Sequence, residues 1–124
     1  MLDHFVAFSL QLNIMIKLLN YSIKTTGREP FPEWLDDQDS KTRAIVFTRL
    51  DRVAVGNFGD CKQIKDASGV WELRIDYGPG YRVYFGKKGM DIVILLVGGD
   101  KGSQSRDIAK ARRYWLNFKE ATND

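Results

Sequence analysis

The 124-residue sequence has one cysteine, Cys61, and one histidine, His4. A single cysteine excludes an intrachain disulfide and fits a reducing compartment, so a cytoplasmic location is expected. Cys61 has no evident catalytic partner and reads as a small strand residue. His4 lies in the first few residues and reads as incidental. The rest of the chain therefore lacks the usual general base of neutral pH. No apolar run approaches the length of a membrane span, and no membrane partner is expected. There are no repeats, low-complexity tracts or internal linkers. A chain of this size forms one domain with room for a hydrophobic core.

Charge is also scarce in net terms, at +3. It is unevenly placed. Residues 1–60 hold 7 Lys and Arg against 8 Asp and Glu, and residues 61–124 hold 12 against 8. The basic second half points to an anionic partner, nucleic acid first.

Residues 1–14 show neither a basic leader nor a small-residue cleavage site, which argues against a signal peptide. Met15 reads as an alternative start, making residues 1–14 an extension and residues 15–120 the domain. Residues 15–24 read as a first strand. Pro30 and Pro32 introduce a short helix over residues 33–37, anchored by Trp34 and Leu35. Asp39 or Ser40 caps a second helix reaching Val55, with Val46, Leu50, Val53 and Ala54 on one face. Residues 61–65 read as a short strand.

Residues 70–77 and 81–85 alternate apolar and polar side chains on either side of Gly78-Pro79-Gly80, the pattern of a β-hairpin. Trp71, Leu73, Ile75, Tyr77, Tyr81, Val83 and Phe85 share the core face. Glu72, Arg74, Asp76, Arg82 and Tyr84 share the other. A three-residue loop would set Asp76 opposite Arg82 and Arg74 opposite Tyr84. This polar face reads either as a solvated surface with cross-strand ion pairs or as a phosphate-handling site, arginine being shaped for bidentate phosphate binding.

Residues 92–97 are apolar on both faces, as a buried central strand requires. Gly98-Gly99 follows, read as either a strand-to-helix turn or a point of close ligand approach. Its spacing does not fit a phosphate-binding P-loop. Ser103 or Ser105 caps a last helix. Its apolar stripe is Ile108, Ala111, Trp115 and Phe118, and Lys110, Arg112 and Arg113 make a basic face. The expected fold is α+β, one sheet with one helical layer.

The order of elements resembles the RelE/ParE superfamily of bacterial toxins. The phrase from Trp71 to Phe85, with Gly98-Gly99-Asp100-Lys101 and residues 107–111, is similar to its HigB-like, phage Gp49-like "addiction module killer protein" branch. The resemblance covers residues 15–119. It implies a RelE-like fold: an N-terminal strand and helical hairpin, an antiparallel β-meander and a C-terminal helix. It implies a toxin neutralised by a cognate antitoxin, usually a helix-turn-helix protein, and a ribosome-dependent mRNA endonuclease that uses no metal or cofactor. Carried over by position, Arg74 and Arg82 match the family's basic sheet positions and Lys101 the basic residue after the last strand. Glu72 stands where the best-known members carry lysine, and Ile108 near where they carry tyrosine. Tyr84 is an alternative phenol. Glu72, Asp76 and Lys101 are the candidate acid–base groups. Lys62, Lys65, Lys87, Lys110 and Arg113 are the expected RNA contacts. The alternatives are a ParE-like inhibitor of DNA gyrase and an inactive toxin-fold binding protein.

Overall fold

The computed structural model describes residues 15–122. The expectations for residues 1–14, His4 included, lie outside them. In chain order come β1 (Lys17–Asn20), α1 (Pro30–Asp36), α2 (Ser40–Ala54), β2 (Cys61–Gln63), β3 (Trp71–Ile75), β4 (Tyr81–Lys88), β5 (Ile92–Asp100), a 3-10 turn (Lys101–Ser103) and α3 (Gln104–Ala121). The sheet order is β1-β5-β4-β3-β2. Strands β2 to β5 form an antiparallel meander, and β1 lies parallel to β5. That parallel pairing requires a long crossover, whose first part is the α1–α2 hairpin.

Helix α1 starts at Pro30, earlier than the sequence suggests, because proline lacks a backbone N–H and a donor in the first turn would be unpaired anyway. The Asp39 carboxylate caps α2 by accepting from the Thr42 N–H at 2.8 Å. Val46, Leu50 and Val53 form the buried stripe of α2, with Thr42 in place of Ala54.

One expectation is corrected by the layering. Helices cover both faces of the sheet. Phe31, Leu35, Val46, Leu50 and Val53 pack on Leu73, Ile75, Val83, Phe85, Val93 and Leu95. On the opposite face Ala111 and Trp115 of α3 pack on Tyr84, Ile94, Leu96 and Val97. The two-sided apolar run in β5 is what requires both layers. As a result the face carrying Glu72 and Tyr84 is not a solvated surface: both side chains are fully buried.

The hairpin register is corrected too. Ile75 pairs with Tyr81, Arg74 with Arg82, and Glu72 with Tyr84. Residues 76–80 form the loop, closed by the Gly80 N–H donating to the Tyr77 carbonyl at 3.0 Å. Gly78 and Gly80 take positive φ of 55° and 83°, a region glycine enters freely. Asp76 leaves the ladder and is exposed. The two arginines thus stand side by side.

Candidate functional site

Two arginines directly opposite each other on neighbouring strands repel. The fold answers this with Glu72, whose carboxylate lies between them with no solvent exposure. The Arg74 Nε–H donates to Glu72 Oε1 at 3.0 Å. Arg82 Nε stands 3.8 Å from Glu72 Oε2, an ion pair beyond hydrogen-bond reach. The amide of Gln104, the first residue of α3, donates to the same Oε2 at 2.8 Å. Burial alone would raise the Glu72 pKa. The hydrogen bonds from Arg74 and Gln104 and the two guanidinium charges outweigh it, so the carboxyl lies below its ordinary value.

Arg74 is the more open arginine, with a third of its side chain exposed, and Asp60 lies 3.9 Å from its Nη1. Its backbone is clamped from both sides. The Arg74 N–H donates to the Asp60 carbonyl at 2.9 Å. On the far face Arg49 of α2 donates to the Arg74 carbonyl, and to the Phe58 carbonyl at 2.9 Å. Arg82 shows only 13% of its side chain to solvent. Its Nη1 donates to the Tyr81 carbonyl at 3.1 Å, while its Nε is buried without a hydrogen-bond partner.

The Tyr84 hydroxyl is likewise buried and unpartnered. Its pKa is pushed well above the ordinary phenol value, first by burial and then by the negative charges of Glu72 and Asp107. It is a neutral phenol beneath the arginine pair, out of reach of any large ligand.

Lys101 is exposed and is brought to the arginines by the hairpin turn. Its N–H donates to the Gly80 carbonyl at 2.8 Å. Gly80 lies against both groups: a Cβ there would stand 3.5 Å from Arg82 Nη1 and 3.8 Å from Lys101 Cβ. The Asp100 carboxylate fixes the 3-10 turn, accepting from the Gly102 and Ser103 N–H groups at 2.8 and 3.2 Å. Capping at this turn therefore belongs to Asp100; Ser103 makes no side-chain cap on α3. Its hydroxyl instead donates to the buried Asp107 carboxylate.

Gly98 and Gly99 are not the strand-to-helix turn. They lie inside β5, where a Cβ on Gly98 would overlap the Trp34 indole and one on Gly99 the Asp107 carboxylate. Their smallness lets α1 and α3 close on the sheet.

The structure therefore sets Arg74, Arg82, Glu72 and Tyr84 on one face of the hairpin, with Lys101 beside Arg82 at its turn. It divides the expected RNA contacts. Lys62 pairs with Glu72 across β2 and β3 and is exposed beside the site. Lys65 lies past the end of β2. Lys87 is on the opposite sheet face, 3.9 Å from the Trp71 ring centroid and 4.5 Å from that of Phe58. Lys110 and Arg113 follow Gln104 by six and nine residues, which puts them on the far side of α3. Lys110 there lines a cleft with Trp34, Arg106 and Tyr114, and Arg113 stands 5.4 Å from the Tyr114 ring centroid. Ile108 packs with the apolar side of α3. Sequence reasoning missed Gln104 and Arg49. Their only signal is indirect: a carboxylate and an arginine this enclosed need further partners. Among the described residues no three His, Cys, Asp or Glu side chains group for a metal ion, and no helix is long and apolar enough to cross a membrane.

Comparison with known proteins agrees with this architecture. The family model of the phage-derived Gp49-like proteins (DUF891) matches residues 33–115. An uncharacterised protein of Haemophilus influenzae is 43% identical over 95 residues, covering 76% of this chain and 92% of that protein. The structure of the Escherichia coli toxin RelE in the free state, a mutant with two arginines changed to alanine, superposes with a TM-score of 0.57. It covers 80% of this chain and 96% of RelE at 11% identity, a likeness of fold. A mixed sheet with a helical hairpin on one face and a C-terminal helix on the other is thus shared with RelE, and the chain belongs to the phage-derived Gp49-like family, with the fold of the RelE-like toxins.

Proposed function

We propose that this protein is the toxin of a toxin–antitoxin module and that it cleaves mRNA on the ribosome. The observation that carries this reading is the pairing of Arg74 with Arg82 across the hairpin, with Lys101 beside Arg82 at the Gly78–Gly80 turn. Metal-free RNA cleavage joins the 2′-oxygen to the adjacent phosphorus and breaks the bond to the 5′-oxygen. It leaves a 2′,3′-cyclic phosphate and a 5′-hydroxyl. Negative charge builds on the non-bridging oxygens, and each positioned cation there contributes a few kcal/mol. Arg74 and the exposed corner of Arg82 bind these oxygens. Lys101, the most open of the three, protonates the leaving 5′-oxygen.

Glu72 acts through the arginines. A buried carboxylate held by two donors and two guanidinium charges is a weak base, so it orients rather than abstracts. Tyr84, buried and neutral, supports the sheet beneath them. The 2′-hydroxyl proton passes to solvent water, and no side chain of this chain serves as the base. Alignment of the message by the ribosome supplies much of the rate through proximity. The partners are then mRNA, the ribosome and a cognate antitoxin.

Expression from a tightly repressed promoter, with mRNA 5′ ends mapped during growth arrest, tests this. Arrest with new codon-phased 5′ ends, both abolished by Arg82→Ala, is the expected result. Arrest with intact messages and a DNA-damage response would replace it with gyrase poisoning. Undiminished cleavage by Arg82→Ala would refute the assigned site.

A further inference from the structure

We infer that Arg112 and Lys119 form a second phosphate-binding site for RNA, on the flank of α3 that faces the β2–β3 loop. This extends the reading above, that the protein acts on RNA, and rests on it. The two residues are seven positions apart, about two helical turns, so they share one flank of α3. Both reach Ser68 in the β2–β3 loop. The Arg112 Nε–H donates to Ser68 Oγ at 3.1 Å. The Lys119 ammonium donates to the Ser68 carbonyl at 3.1 Å and stands 5.5 Å from the Trp115 ring centroid. Two cations are thus held against one neutral residue. Among the described residues no carboxylate forms an ion pair with either.

Two like charges gathered on a neutral loop repel, and an anion between them relieves the repulsion. The contacts to Ser68 consume few donors. Arg112 is exposed and engages through Nε, which leaves its two Nη groups as the fork that takes a phosphate bidentately. Lys119 engages one of its three N–H groups. Long cationic side chains lose rotamer freedom when they bind a ligand. Ser68 orders both in advance, which lowers that cost.

The site lies on the same side of the sheet as the arginine pair. Lys62 is the cross-strand neighbour of Glu72 and is exposed on that face. Gln104, which donates to Glu72, precedes Arg112 by eight residues, about 12 Å along the helix. Cations therefore run from Arg82 and Arg74 past Lys62 toward Arg112 and Lys119. An RNA strand with one phosphate on the arginine pair places another on this site.

The test removes charge and reads binding against salt. Three proteins are compared: wild type, the neutral double variant Arg112→Gln with Lys119→Gln, and the charge-retaining Arg112→Lys with Lys119→Arg. Each is titrated onto vacant ribosomes, ribosomes programmed with a short message, and a short fluorescent oligoribonucleotide, over a range of potassium chloride. The neutral variant should bind about tenfold more weakly, and its slope of log affinity against log salt should be shallower by about 1.4, for two lost phosphate contacts. The charge-retaining variant and Lys87→Gln should keep the wild-type slope. The saturating cleavage rate of the neutral variant should hold within about threefold, as expected of contacts away from the scissile bond. Weakening already present on vacant ribosomes identifies ribosomal RNA as the source of the phosphate. Weakening on the oligoribonucleotide, or only on programmed ribosomes, identifies the message. A wild-type slope in the neutral variant on all three overturns the inference, whatever its urea stability; the two residues would then be ties for the loop alone. Should wild type bind RNA without cutting it, the cleavage reading fails and the shallower slope still establishes the site. Wild type binding none of the three overturns both.

Discussion

Removing the Glu72 carboxylate is the most informative single perturbation of the fold. Glu72→Ala deletes two charge-assisted hydrogen bonds, of 2.8 and 3.0 Å, from a side chain with no solvent exposure. It also leaves Arg82, with only 13% of its side chain exposed, facing no countercharge. Breaking a buried pair by truncating one partner typically costs about 3–5 kcal/mol. Arg74 moderates this, because its exposed third rehydrates and an open ion pair contributes at most about 1 kcal/mol. An overall loss near 3 kcal/mol follows, a large share of the roughly 5–15 kcal/mol typical of such domains. Glu72→Gln keeps the shape and one acceptor, so its loss should be nearer 1–2 kcal/mol. The pH dependence is fixed by sign. The folded pKa of Glu72 lies below its ordinary 4.5, so its contribution is fully present above about pH 4.5 and fades as pH falls toward the folded value. Urea unfolding of wild type and Glu72→Gln from pH 7 to pH 3 should show their stability difference shrinking only below about pH 4.5. A Glu72→Ala loss under about 1 kcal/mol at pH 7, or a pH-independent gap to Glu72→Gln, would refute the account of this carboxylate as the hub of the site.

The other expectations are simpler. Gly99→Ala should lower stability by about 1–3 kcal/mol through overpacking against Asp107, read as a fall in melting temperature; an unchanged melting temperature would mean α3 can move away freely. Trp115→Ala should cost about 3–5 kcal/mol, the usual range for emptying a buried aromatic site, and should unseat α3 from the sheet. Lys87→Gln should leave growth arrest and cleavage unchanged, because Lys87 stands on the α2 face of the sheet. Lost cleavage in a folded Lys87→Gln protein would show that the message wraps past the hairpin edge.

The order of elements was legible because each carries its own local signal. Proline opens α1, an aspartate caps α2, period-two alternation marks β3 and β4, and a two-sided apolar run marks β5. The second helical layer was implicit in that run and was missed. Alternation in β3 and β4 reads as one buried and one wet face only when nothing sits on the polar side. Here Trp115 and Ala111 of α3, far along the chain, settle on it. Burial on the second face is thus a property of tertiary contact and leaves no local trace in residues 71–85.

The site was half legible for the same reason. Arg74, Arg82 and Lys101 were identified as residues, but their geometry depended on a register set by loop length. Gly78-Pro79-Gly80 suggests a three-residue loop, and the chain uses five, with Asp76 and Tyr77 outside the ladder. Tyr77 there stacks on Tyr81 at 6.4 Å between ring centroids and lies under the Lys41 ammonium. That shift of register turns an expected Asp76–Arg82 pair into an Arg74–Arg82 pair, a repulsive arrangement unless an anion lies between. Glu72 becomes the resident anion between them. The arginine pair needs a carboxylate for stability, the carboxylate accepts from Gln104 as well, and the remaining cation, Lys101, sits exposed at the surface.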